Sequence, residues 1–169
     1  MQIRAETLAD HAAIAALTTA AFAQAEHSDG TEAKIIAGLR HDGDLALSLV
    51  AEQASEIIGH VAFSPVLIDG VDHRWFGLGP VSVHPDFQHQ GIGSALIHEG
   101  LILLRDRGAQ GCVVLGDPAY YPRFGFATTP GLFYDGAPSE YFMTLRLSPP
   151  PSPSPPPKGR VTYAAAFGS

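Results

Sequence analysis

The stretch from His84 to Gly100, HPDFQHQGIGSALIHEG, opens with a proline turn and then places Gly91 and Gly93 at the start of a helix-like pattern. Glycine costs helix stability, so two of them at a helix N-terminus need a reason. A close-lying anion is one such reason. The first-turn N–H groups point outward, the helix dipole adds about half a positive charge, and without a Cβ at 91 or 93 a phosphate can lie directly on the backbone. Ser94 adds a hydroxyl donor, and Gln88 and Gln90 add uncharged amide donors. The same spacing also reads as a tight strand-to-helix turn whose glycines serve packing, and the loop alone leaves both readings open. Two nucleotide motifs are excluded. A P-loop requires a Lys after its second Gly, and a dinucleotide fingerprint requires Gly where Leu96 stands.

Histidine is plentiful, but His84, His89 and His98 are not spaced as the i, i+4 pair that puts two imidazoles on one helix face, so no metal is expected. His89 reads as a loop side chain facing solvent or a bound phosphate.

The elements that must hold this loop alternate between helical and extended periods. Gln2–Arg4 is a short strand. Thr7 and Asp10 offer caps to an Ala-rich helix with Ile14, Leu17 and Ala21 on one face. Residues 26–30 break it, and a second helix runs from about Thr31 to Arg40, with Ile35, Ile36 and Leu39 inward and Gly43 closing it. Three strands follow: LALSLVAEQ, IIGHVAFSPVLI and, after DGVDH, RWFGLGPVSV. The helix after the glycine loop extends to about Arg107. CVVLGD is a buried strand, DPAYYPRFGF a short helical turn and EYFMTLRL a further strand. The order is β-α-α-β-β-β-α-β-α-β-β, a mixed α/β domain with helices flanking one central sheet. Pro80 lies inside the third of the three strands and cannot donate a ladder hydrogen bond. With Gly79 it predicts a bulge that splays this strand from its neighbour and opens a slot beside the glycine loop.

A chain of 169 residues with 46% hydrophobic residues is enough for one domain with a full core. No apolar run approaches the roughly 20 residues that cross a bilayer, and the N-terminus lacks an apolar signal core, so a cytoplasmic protein without a membrane partner is expected. The single Cys112 sits in an apolar run and reads as a buried, inert thiol. The formal charge of −7 falls on residues 1–84, with 4 basic against 11 acidic side chains, while residues 85–169 balance at 6 and 6. Without a basic stripe, nucleic acid is not an expected partner. The proline tract in 148–158 reads as a stiff polyproline II connector leading to a C-terminal strand and tail in 159–169.

Gln88-His89-Gln90-Gly91-Ile92-Gly93 matches the [RQ]-x-x-G-x-[GA] signature of the GNAT family of N-acetyltransferases, and Tyr121-Pro122-Arg123-Phe124-Gly125-Phe126 resembles that family's Y-x-[KR]-x-G-F element. The resemblance covers residues 1–147 and is strongest over 78–126. HVAFSPV and LGPVSVHP resemble the bacterial YhbS-like subgroup. It implies a single GNAT-like domain in which acetyl-CoA occupies the slot. Pantetheine would pair along Val81 and Val83, the pyrophosphate would rest on Gln88, His89, Gln90, Gly91, Gly93 and Ser94, and backbone N–H near Val81–Ser82 would stabilise an oxyanion. Tyr121 takes the position that protonates the leaving thiolate, with Tyr120 as its alternative. The acceptor implied is a small-molecule or peptide amine, and a homodimer is compatible. The chain departs from the family in having no carboxylate on RWFGLGPVSV, which leaves Glu52, His60, Asp72 and His73 as remote general-base candidates. It also leaves open a non-catalytic CoA-binding or sensory module on the same fold.

Overall fold

The computed structural model describes residues 1–23, 25, 28–148 and 155–168. Residues 26–27 of the interhelix break and 149–154 of the proline tract lie outside the described residues. Strand β1 (Gln2–Ala5) leads through a 3-10 turn to helix α1 (His11–Phe22) and helix α2 (Glu32–Asp42). Asp10 begins α1 as foreseen, but its carboxylate faces back: it accepts from the Thr7 N–H at 2.7 Å and from Arg4 at 2.7 and 3.0 Å. Those bonds hold it well below the usual carboxylate range although it is buried. Gly43 closes α2 in the left-handed region, φ +78°, where a side chain would be strained.

Strands β2 (Leu47–Gln53), β3 (Glu56–Ile68) and β4 (Val71–Val83) form an antiparallel meander. Its turns are two-residue loops with positive φ at both positions, Ala54–Ser55 and Asp69–Gly70, matching the twist of the strands they join. Because the second turn is so short, β4 begins at Val71. Asp72 and His73, read from the sequence as loop, are therefore strand residues. Helix α3 (Ile92–Asp106) follows, then β5 (Gly111–Leu115), β6 (Leu132–Phe133), β7 (Phe142–Arg146) and β8 (Gly159–Thr162).

The sheet runs β1-β2-β3-β4-β5-β7, and on this path β4 and β5 pair in parallel while the other neighbours are antiparallel. β8 pairs with β3 at Leu67 and Ile68, beyond the point where β2 ends, and β6 joins β8. The main core lies between the sheet and α3, where Leu96, Ile97, Leu101 and Leu104 meet Leu49, Val61, Phe63 and Val114. Gly100 lets the helix sit directly on the Phe63 ring: a Cβ there would stand 2.3 Å from Phe63 Cε2. On the other face Ile14 and Ile36 close over Val50. Cys112 is fully buried in the main core, and burial pushes its thiol up, as the sequence foresaw for an inert side chain.

Candidate active site

The site begins with the β4 bulge. Val61 pairs with Val81 and Phe63 with Leu78, so Gly79 and Pro80 together oppose Ala62. The parallel ladder to β5 covers only Trp75–Leu78. From Gly79 to Val83 the β4 backbone has no partner on its β5 side among the described residues, and the two strands part. This is the slot expected from Pro80.

At the mouth of the slot stands the start of α3. Gly91 is its N-cap with φ +82°, and His89 before it also takes a positive φ, +65°. The first helical hydrogen bond runs from the Ala95 N–H to Gly91 O at 3.0 Å. The N–H groups of Ile92, Gly93 and Ser94 find no acceptor among the described residues, so three donors and the positive end of the helix dipole face outward. A Cβ on Gly91 would meet nothing within 4 Å, and one on Gly93 would stand 3.6 Å from Val83, 3.8 Å from the Tyr120 hydroxyl and 3.9 Å from Val81. Both glycines therefore leave open the space that a bound group would fill, which fits a phosphate-bearing ligand.

A cleft of about 640 Å³ joins the slot to this helix start. Val81, Val83, Gln88, His89, Gly91, Gly93 and Ser94 all line it, along with Phe22, Phe87 and Ile92, while Gln90 does not. Gln88 folds back to donate from Nε2 to Val83 O at 3.2 Å, tying the loop to β4.

Two tyrosines follow β5, and they differ. The Tyr120 hydroxyl is 2.9 Å from Ser94 Oγ and lines the cleft. Tyr121 does not line it. Its ring lies against Gly116, where a Cβ would come within 2.2 Å of Tyr121 Cε2, and against Phe126. Its hydroxyl has no hydrogen-bond partner among the described residues and is not sealed from solvent. Burial of the ring, aided by Tyr120 and Asp117 nearby, pushes the phenol up to about 12.

Arg123 is a residue whose position the motif marked without giving it a role. Its Nε donates to Tyr120 O at 2.8 Å and its guanidinium lies 4.1 Å from the centre of the Tyr120 ring. It is the one Lys or Arg among the residues lining the cleft, and its remaining N–H donors have no partner among the described residues. Only the fold brings it opposite the α3 N-terminus.

The four remote base candidates stay remote, since none lines the cleft. Glu52 is paired with Arg4 at 2.6 Å. His60 is fully buried on β3, with Nε2 2.8 Å from Ser48 Oγ. Ser48 also bonds Glu6, whose carboxylate accepts two hydrogen bonds from Arg40 at 3.0 Å. A carboxylate only accepts, so Ser48 donates to Glu6 and accepts from His60 Nε2–H, which leaves His60 Nδ1 bare, buried and without a partner. Burial lowers His60 to about 4. No group of three or more His, Cys, Asp or Glu among the described residues is arranged to hold a metal ion.

A mixed sheet that parts beside an anion-receptive helix start, with Tyr120 lining the cleft between them, fits the acetyltransferase fold of the chain's relatives. The chain belongs to the GNAT acetyltransferase family. The family's "Acetyltransferase (GNAT) domain" profile matches residues 44–128. The uncharacterized N-acetyltransferase YhbS of Escherichia coli K12 is 44% identical over 127 residues, covering 75% of this chain and 73% of that protein. A crystal structure of a GNAT family acetyltransferase from Brucella melitensis in complex with acetyl-CoA superposes with a TM-score of 0.86 at 46% identity, covering 98% and 97% of the two chains. That of E. coli YhbS in complex with CoA gives 0.85 at 35%, covering 99% and 92%. No helix among the described residues is long and apolar enough to cross a membrane.

Proposed function

We propose that the protein moves an acetyl group from acetyl-CoA directly to a primary amine. The observation that carries this reading is the parting of β4 from β5 at Leu78, next to three unsatisfied N–H groups of α3. The acetyl-CoA and CoA complexes of the Brucella and E. coli relatives support it. The pyrophosphate rests on Gln88, His89 and Gly91–Ser94, with Arg123 facing it across the cleft, and the pantetheine arm runs beside Val81 and Val83 in place of a strand. Gln90, between His89 and Gly91 in the loop, does not line the cleft.

The acceptor loses one proton to water before attack and reacts as the free amine. Its nitrogen forms a bond to the acetyl carbon, the C–S bond breaks, and the electron pair leaves on sulfur. A proton from the acceptor nitrogen balances the thiol product. Tyr121 serves the departing sulfur: with its phenol at about 12, against about 8.5 for a thiol, it stays protonated and donates a hydrogen bond to the thiolate. It releases its own proton only as the acceptor nitrogen supplies one. Tyr120 holds Ser94 and orients Arg123, a positioning task.

Release of free thiol from acetyl-CoA across a panel of primary amines tests the reading, with calorimetric titration of CoA alongside. Turnover with at least one amine is expected. Tight CoA binding without turnover for any amine would overturn it in favour of a CoA-binding module.

A further inference from the structure

Past the end of β5 the chain forms a second hollow, of about 570 Å³, lined by Leu115, Gly116, Asp117, Ala137 and Tyr141. Its walls come from two segments, residues 115–117 at and just past the end of β5 and residues 137–141 leading into β7, tied by a hydrogen bond from Gly116 N–H to Tyr141 O at 3.0 Å. The side chains of Leu115 and Tyr141 are among the largest exposed apolar groups of the protein. Asp117 is the one charged residue among those lining residues. Its Oδ1 accepts from the Ala119 N–H at 2.8 Å, and no cation pairs with it among the described residues.

The hollow adjoins the reacting group assigned above. Gly116 lines the hollow and lies against the Tyr121 ring, and Asp117 O receives the Tyr121 N–H at 3.2 Å. The charge of Asp117 is close enough to push the Tyr121 phenol upward. An occupant of the hollow that pairs with Asp117 is therefore held within reach of Tyr121.

We propose that this hollow is the acceptor site, and that it takes a monocationic primary amine with an apolar body. This rests on the transferase reading and names its substrate class. Three features of the lining argue for the class. One carboxylate pairs one ammonium and leaves the further charges of a polyamine unmatched. Its negative charge repels an acceptor carrying a carboxylate or phosphate beside its amine. The Leu115, Ala137 and Tyr141 surfaces reward an aliphatic or aryl body. Asp117 binds the ammonium and takes no proton in the reaction. The ammonium loses its proton to water at the open mouth before attack, with the bond changes already given.

The test compares 2-phenylethylamine, ethylamine, spermidine and taurine as acceptors for wild type, Asp117→Asn and Tyr141→Ala, and also titrates 2-phenylethylamine into CoA-saturated protein by calorimetry. Expected are a kcat/KM for 2-phenylethylamine about 10-fold or more above each of the others, and a fall of roughly 3- to 10-fold in Asp117→Asn, mostly in KM. CoA affinity should not change in either variant. The proposal is overturned if both variants bind and use 2-phenylethylamine as wild type does, or if spermidine or taurine is preferred. If 2-phenylethylamine binds in an Asp117-dependent way but no acetyl group moves, the hollow stands and the transferase reading falls. If acetyl transfer proceeds while Asp117 and Tyr141 are immaterial, the reverse holds.

Discussion

Tyr120 and Tyr121 are adjacent in sequence, their rings stand perpendicular with centroids 5.0 Å apart, and their hydroxyls have opposite circumstances. That of Tyr120 is engaged with Ser94 at the head of α3. That of Tyr121 has no partner among the described residues, while its ring is wedged between Gly116 and Phe126. An engaged hydroxyl suits holding the cleft in shape. A free one on a rigid ring suits donation to a group that arrives.

Tyr121→Phe is therefore expected to lower kcat by about 10²- to 10⁴-fold with little change in the KM for acetyl-CoA, as for loss of a proton donor. Tyr120→Phe should instead raise that KM a few-fold and leave kcat nearly intact, because it frees Ser94 without touching the leaving group. Steady-state kinetics on the two variants decide the assignment. The reversed pattern would make Tyr120 the donor.

The parts of this arrangement that are local were legible in the sequence. Thr7 and Asp10 before α1, Gly43 after α2 and the Gly79–Pro80 bulge each follow from backbone chemistry within a few residues, and the structure keeps all of them. What the sequence left out depends on pairings across the chain. The two-residue β6 has no periodicity of its own and exists because β8 lies beside it, while β8 in turn adds to β3 some 90 residues upstream. The link from Glu6 to Arg40, Ser48 and His60 draws on four separate elements, so no spacing announces it. Likewise Arg123 reaches the α3 N-terminus through the Tyr120–Ser94 contact, and Asp117 lines the hollow because the β5 end pairs with the segment before β7. The adjacent tyrosines illustrate the limit: the motif marks Tyr121, and only the structure distinguishes the two hydroxyls.

Gly91 and Gly43 make a matched pair for testing the cradle. Both have strongly positive φ, +82° and +78°, and at both a Cβ would meet nothing within 4 Å. Substituting Val at either should cost stability through the same left-handed strain, on the order of 1–2 kcal/mol. Only Gly91 lines the cleft. Gly91→Val is expected to lose CoA binding at least 10-fold beyond what Gly43→Val loses, at a similar drop in melting temperature. Calorimetry and thermal melts on both variants check this, and equal CoA affinity in the two would remove the loop from the binding site.

Arg123 supplies the cleft with a guanidinium fixed by Tyr120. Arg123→Gln should weaken CoA binding about 10-fold, within the range for lost charge-assisted hydrogen bonds, and should flatten its dependence on salt. Acetyl-pantetheine carries no phosphate, so both proteins should use it equally well. A parallel loss with acetyl-pantetheine would mean that Arg123 shapes the cleft through Tyr120 rather than pairing with phosphate.

His60 gives the protein a pH dependence of stability that can be separated from that of its carboxylates. Burial holds the imidazole neutral, with its folded value lowered from 6.5 to about 4. Between those values the unfolded chain binds a proton that the folded chain refuses, so stability present above pH 6.5 is lost as the pH falls toward 4. The full loss is on the order of 3 kcal/mol. Glu6 and Asp10 are also lowered, by Arg40 and Arg4 against the opposing effect of burial, but their contributions fade only below the ordinary carboxylate range. Denaturant unfolding of wild type and His60→Gln between pH 7.5 and 4 should therefore give curves that converge as the pH falls. The variant starts lower because a packed imidazole and its bond to Ser48 are gone, but it lacks the His60 share of the acid loss. Parallel curves across that window would show that His60 takes up its proton in the folded state as readily as in the unfolded one.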